Sequence, residues 1–165
     1  MHVGDLVSLK LGPRRGLLRA TSAITHYERG LALEASDPVA AANAYRRAIA
    51  SRPDLADAHN NLARLFHDAG HLADAEAAYR RAIQASGEVA LYHFNLGVVL
   101  EDAGNAHGAV AAYERAIALD ATLADAHYNL ARQLEQLGRS SHDDLVLRRA
   151  IRHLQQYRSL SRTAG

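Results

Sequence analysis

The chain has 165 residues, enough for one domain with a real core, and no cysteine, which excludes disulfides and thiolate metal sites. Its net charge of +1 is unevenly spread: Lys10, Arg14, Arg15 and Arg19 outnumber Asp5 at the start, arginines outnumber Asp143 and Asp144 over residues 139–165, and the middle is negative. No apolar run of about 18 residues is present, and MHVGDLVSLKLGPRRGLLRA lacks the basic start and apolar block of a secretory signal, so a cytoplasmic protein without a membrane span is expected.

Residues 1–21 read as a basic N-terminal segment, broken by Gly12-Pro13, that is flexible or forms a short cap. From residue 22 onward a 34-residue period governs the chain. Ala48, Ala82, Ala116 and Ala150 share one column, and Ile49, Ile83, Ile117 and Ile151 the next. Tyr45, Tyr79 and Tyr113 form a third, with Leu147 in the fourth place. Gly70, Gly104 and Gly138 recur, as do His59, His93, His127 and Asn61, Asn95, Asn129.

Each unit reads as two helices. In the second, His59, Leu62, Ala63 and Phe66 make one stripe at 3- and 4-residue steps. Gly70 supplies the stop, and Leu72, Ala75, Tyr79, Ala82 and Ile83 make the second stripe. Asp37-Pro38 opens the second helix of the first unit as a cap followed by a first-turn proline. The predicted pairs are 22–35 with 38–51, 56–69 with 72–85, 90–103 with 106–119, and 124–137 with 141–160. The last helix, with Ala150, Ile151 and Leu154 on one face, caps the array or offers a surface for self-association.

ADAHNNLARLFHDAGHLADAEAAYRRAI, ALYHFNLGVVLEDAGNAHGAVAAYERAI and ADAHYNLARQLEQLG resemble the tetratricopeptide repeat, a 34-residue helix–turn–helix unit. The resemblance implies an all-α, right-handed solenoid of four units, 22–55, 56–89, 90–123 and 124–158, with a tail at 159–165. The sequence departs from the family pattern in several places. His59, His93 and His127 fill the frequent tryptophan column, Arg29 stands where a small residue is usual, and Asp143 replaces an alanine. Ala63, Gly97 and Ala131 form a small-residue column with Ala48, Ala82, Ala116 and Ala150 on the partner helices, and Gly97 gives up helix propensity for close packing. HYERGLALEASDP, HFNLGVVLEDAG, ADAHYNLA and RHLQQYRSL are also similar to the repeat region of MerR-type bacterial regulators. That resemblance implies a regulatory or oligomerising module as an alternative function.

In the tetratricopeptide family the first helices line a concave groove, and repeated asparagines grip a peptide main chain. The resemblance therefore implies a non-catalytic scaffold with Asn61, Asn95 and Asn129 as a ligand-facing ladder. The alternative is that these amides only join neighbouring first helices. Asn60, Arg64, Phe94, Tyr128 and Arg132 share the face, the two rings as an aromatic platform. Asp57, Asp68, Asp102 and Asp125 give it an acidic character that suits a basic peptide. The basic stretch LKLGPRRGLLR is an internal candidate for such a ligand. The family's carboxylate clamp is not expected, because its lysines are missing.

No nucleophile, phosphate-loop or metalloprotease motif is present, so no enzyme and no cofactor are expected. The ten histidines lack a third converging ligand for zinc, and packing is the expected role of the His59 column. Arg46-Arg47, Arg80-Arg81 and Arg148-Arg149 form solvated convex positions, with a nucleic-acid-binding stripe as the weaker alternative.

Overall fold

The computed structural model describes residues 12–163. They form eight helices: α1 (Gly12–Leu33), α2 (Pro38–Ser51), α3 (Ala56–Asp68), α4 (Leu72–Ala85), α5 (Ala90–Asp102), α6 (Ala106–Leu119), α7 (Ala124–Ser141) and α8 (Asp144–Thr163). Successive helices pack as hairpins, α1 with α2 through α7 with α8, and each first helix also lies on the second helix of the preceding pair. The result is an all-α repeat solenoid.

The start and stop signals act as the sequence indicates. The Asp37 carboxylate accepts from Ala40 N at 2.9 Å, and Asn105 caps Gly108 N at 2.9 Å. Gly70 and Gly104 take the left-handed conformation, with φ of 76° and 75°. That lets the His71 and Asn105 amides reach back five residues to the Phe66 and Leu100 carbonyls.

Three local expectations are corrected. α1 begins at Gly12, ten residues before the predicted start, so the later half of the basic segment is helix; the part before Gly12 lies outside the described residues. Pro13 is tolerated in a first helical turn, and the run after it holds no further breaker except Gly16, which has open space around it. Gly138 does not stop its helix. α7 continues to Ser141 and ends at His142, φ 54°, while Asp143 caps Leu145 N at 2.8 Å, so α8 starts at 144 rather than 141. Gly138 instead leaves room for Leu147, whose side chain lies 2.9 Å from where a Cβ would stand.

The third correction concerns the first unit. The small residue there is Gly30, not Arg29. In the later pairs the turn-closing bond spans five residues, but Asp37 N returns to Leu33 O across four. The shorter turn moves α1 by one position against the 34-residue count.

Tyr45, Tyr79 and Tyr113 are buried at the centre of the first three pairs, flanked by the fully buried Ala48, Ala82 and Ala116, and Ala150 is buried in α8. The core falls into two clusters. One joins α2 to the rear face of α3, the other runs from Ala63 to Ala150, and Phe66 packs against both. The histidine column fastens the turns between units: Nε2 of His59, His93 and His127 donates to the carbonyls of Pro53, Gly87 and Ala121, at 2.8, 2.9 and 3.2 Å.

Candidate functional site: the face of the first helices

The face shared by α1, α3, α5 and α7 carries two copies of one polar cluster. In the first, Tyr45 donates to Glu34, Arg64 pairs with the same carboxylate, and Asn61 Nδ2 approaches the Tyr45 hydroxyl at 3.5 Å. In the second, Tyr113 donates to Glu101 at 3.0 Å, Arg132 pairs with Glu101 at 3.2 Å, and Asn129 Nδ2 approaches the Tyr113 hydroxyl at 3.4 Å. Beneath each tyrosine ring lies a glycine, Gly30 or Gly97, whose absent Cβ would stand 2.4 or 2.5 Å from a ring carbon. Burial, reinforced by the neighbouring carboxylate, raises the pKa of Tyr45 and Tyr113 above the ordinary phenol value, so both remain donors at neutral pH.

The unit between them is built differently. Ala63 replaces the glycine and His67 the glutamate. The Tyr79 hydroxyl has no such partner among the described residues, and burial pushes its pKa up to about 12. His67 turns to Asp102 of the next unit instead, at 2.6 Å.

The asparagine column is therefore already engaged. Asn95 Nδ2 donates to Asn60 Oδ1 at 3.0 Å, Asn60 Nδ2 to Asn61 Oδ1 at 3.1 Å, and Asn61 Nδ2 also reaches the Tyr27 hydroxyl at 3.3 Å. This chain of amides links two units, and the Tyr27 hydroxyl extends it to a third. Asn60 is buried by it, 7% exposed. No partner is present among the described residues for the Oδ1 atoms of Asn95 and Asn129. Asp57 accepts from the buried Tyr92, while Asp68 and Asp125 are exposed. Phe94 and Tyr128 each pack on another tyrosine: Phe94 on Tyr113 with centroids 5.9 Å apart, Tyr128 on Tyr157 of α8 at 5.1 Å. Arg132 also lies 5.9 Å over the Tyr128 ring.

The sequence reading missed the Gly–Tyr–Glu–Asn–Arg cluster because it repeats in alternate units. A comparison at twice the 34-residue period aligns Tyr45 with Tyr113, Asn61 with Asn129 and Arg64 with Arg132. On the opposite face the paired arginines are partly neutralised: Arg80 by Glu76 at 2.8 Å, Arg115 by Glu88 at 3.3 Å, and Arg149 by Glu114. No group of three metal-ligating side chains occurs among the described residues.

Where α7 meets α8, the buried His127 contacts His153, Nδ1 to Nδ1 at 3.0 Å. Because His127 donates from Nε2 to Ala121 O, its Nδ1 must accept, and His153 supplies the proton. Burial, then His127, Arg149 and Arg152, hold the His153 pKa below its ordinary 6.5, against an opposing pull from Glu114. A base whose folded pKa is lowered contributes stability that is fully present above the unfolded value and is lost as pH falls from that value through the folded one. The melting temperature should therefore fall as pH drops below 6.5. His153→Leu should flatten that dependence, and an identical slope in the variant would refute the assignment.

These stacked pairs, with a polar face on the first helices, define an all-α helical-repeat protein. A tetratricopeptide repeat profile matches residues 27–90 and a TPR repeat profile residues 102–138. The chain belongs to the tetratricopeptide repeat family. A crystal structure of MamA superposes with a TM-score of 0.78 at 18% identity, over 92% of this chain and 85% of that one. YrrB, described as a TPR protein with an unusual peptide-binding site, gives 0.72 at 17% identity over 84% and 68%. The first TPR of Spaghetti (RPAP3), bound to the HSP90 peptide SRMEEVD, gives 0.69 at 18% over 72% and 95%. No curated protein matches the chain. Among the described residues, no helix is long and apolar enough to cross a membrane.

Proposed function

We propose that the chain is a non-catalytic scaffold that holds an extended peptide along the face of its first helices. The observation that carries this reading is the pair of unpartnered amide oxygens on Asn95 and Asn129, one repeat apart on that face. Each side-chain amide is oriented by its Nδ2 bond to the preceding unit, so its Oδ1 is held ready to accept a peptide N–H without further ordering cost. A main-chain bond of this kind accepts any peptide side chain, and selectivity must come from charge.

Glu34, Asp57, Asp68, Glu101, Asp102 and Asp125 outnumber Arg64 and Arg132, and both arginines are tied to glutamates. The residual negative field favours a peptide with basic residues. The peptide-binding site described for YrrB and the HSP90 peptide bound to Spaghetti (RPAP3) support the general mode, and the charge preference rests on this chain alone.

The test is a selection from a random peptide library, followed by titration of the selected peptide. Each amide bond contributes about 0.5–1.5 kcal/mol, so Asn61→Ala/Asn95→Ala/Asn129→Ala should weaken binding by roughly 10- to 100-fold. Circular dichroism must first show that the variant is folded, because Asn61 and Asn129 also bond to tyrosines. Unchanged affinity in a folded variant would sink the proposal. Peptides without basic residues would reverse the charge assignment.

A further inference from the structure

The isoleucine column ends differently from how it begins. Ile49, Ile83 and Ile117 are half-buried, but Ile151 is 56% exposed. In each earlier pair, the first helix of the next unit lies on the second helix. No described element lies on α8 in that way. A cavity of about 440 Å³ is left between α7 and α8, floored by Ala131, Leu147, Ala150, Ile151 and Leu154. Leu147 stands where the earlier units have a tyrosine, and its smaller side chain deepens the hollow.

The charge around this groove is one-sided. Leu147, Ile151, Leu154 and Arg158 follow one another on one face of α8 at helical spacing, with Arg148 and Arg152 beside them. None of those three arginines has an ion-pair partner among the described residues. The one acid lining the groove, Glu135, is engaged by Arg139 at 2.5 Å.

We propose that the α7–α8 end is a docking groove for an amphipathic helix of a partner protein, apolar on one face and acidic on its flanks. The helix would sit where a further first helix would stack, repeating the junctions α2 with α3, α4 with α5 and α6 with α7. A second copy of this chain fits less well. Its α1 does expose Leu17, Leu18, Ile24 and Leu31. In the solenoid arrangement, however, a first helix starts beside the end of the preceding second helix. That would set the basic start of α1, including Arg19, against Arg158 and Arg162.

Two synthetic amphipathic helices of about four turns test this, both with a leucine face, one flanked by glutamates and the other by lysines. Titrated into the full chain and followed by fluorescence anisotropy, the glutamate peptide should bind and the lysine peptide should bind at least about tenfold more weakly at low salt. Ile151→Glu should abolish the binding, and Arg158→Ala should weaken it. Both positions are exposed, and unchanged helicity would show that the fold is kept. The triple asparagine variant should bind the peptide normally, which separates this groove from the ladder. No binding of either peptide, equal binding of both, or binding indifferent to Ile151→Glu would overturn the proposal. So would a concentration-dependent dimer that both Ile151→Glu and Leu17→Glu dissociate, since a second copy would then be the occupant.

Discussion

Gly97→Leu is expected to destabilise the protein by about 1–3 kcal/mol, the usual cost of forcing extra volume into a packed core. In a chain of this size each kcal/mol lowers the melting temperature by about 2–4 °C. The sharper comparison is Gly97→Ala. Alanine normally gains about 1 kcal/mol over glycine inside a helix, so propensity alone predicts a more stable protein. Here the new Cβ would stand 2.5 Å from the ring of the fully buried Tyr113.

The ring must move, and its bonds with Glu101 and Asn129 go with it. Each is worth about 1 kcal/mol, so the variant should be less stable than wild type. Gly16→Ala is the control, because nothing lies within 4 Å of that position and stability should hold or rise. In a Tyr113→Phe background Gly97→Ala should cost less than it does in wild type, since the hydroxyl bonds are then already absent. If Gly97→Ala melts at or above the wild-type temperature, the glycine is not there for the tyrosine.

The same geometry separates what the sequence makes legible from what it hides. Helices α2 to α6 fall within a residue or so of their predicted bounds, because caps, glycine stops and 3.6-residue stripes are local signals that agree with one another. Three positions were read wrongly for one reason. The 34-residue count was applied where the chain departs from it: at the shorter first turn, along the longer α7, and before the first unit. It placed Arg29 in the column that Gly30 occupies, made a stop of Gly138, and cut α1 at residue 22. Turn length is set by which amide reaches which carbonyl, and composition does not show it.

The candidate site was half legible. The asparagine column and its acidic neighbours stood out, but their partners did not. The bonds from Asn61 to Tyr45 and from Asn129 to Tyr113 cross between units, and a single repeat cannot reveal them. The likeness to MerR-type regulators rests on the quoted stretches alone, whereas the repeat profiles support the family membership.

Phe66→Ala should do more than lower stability: it should divide the unfolding transition. The two core clusters are separated within α3. Leu62 and Leu65 pack back toward α2, while Ala63 belongs with Tyr79 and the units beyond. Phe66 is the side chain that packs against both, and Arg46 of α2 lies 5.4 Å over its ring. Without it, the cluster that holds α2 against Leu55, Ala58, Leu62 and Leu65 loses the side chain it shares with the longer cluster, and the polar bonds of Glu34, Asn61 and Arg64, part of which face water, do not replace it.

In a repeat array, stability is close to a sum of unit and junction terms, and cooperativity lasts only while the junctions are strong. The ring is half-buried, so a loss of about 3 kcal/mol is expected, the low end for a large aromatic truncation. Hydrogen exchange read segment by segment should show α1 and α2 losing protection before α5 to α7. Urea unfolding should broaden, with a lower apparent m-value. Val99→Ala is the comparison, since Val99 lies wholly inside one cluster and its loss should shift the midpoint without splitting the transition. A single sharp transition with an unchanged m-value in Phe66→Ala would mean that the remaining contacts of α3, rather than the phenylalanine, couple the first unit to the rest.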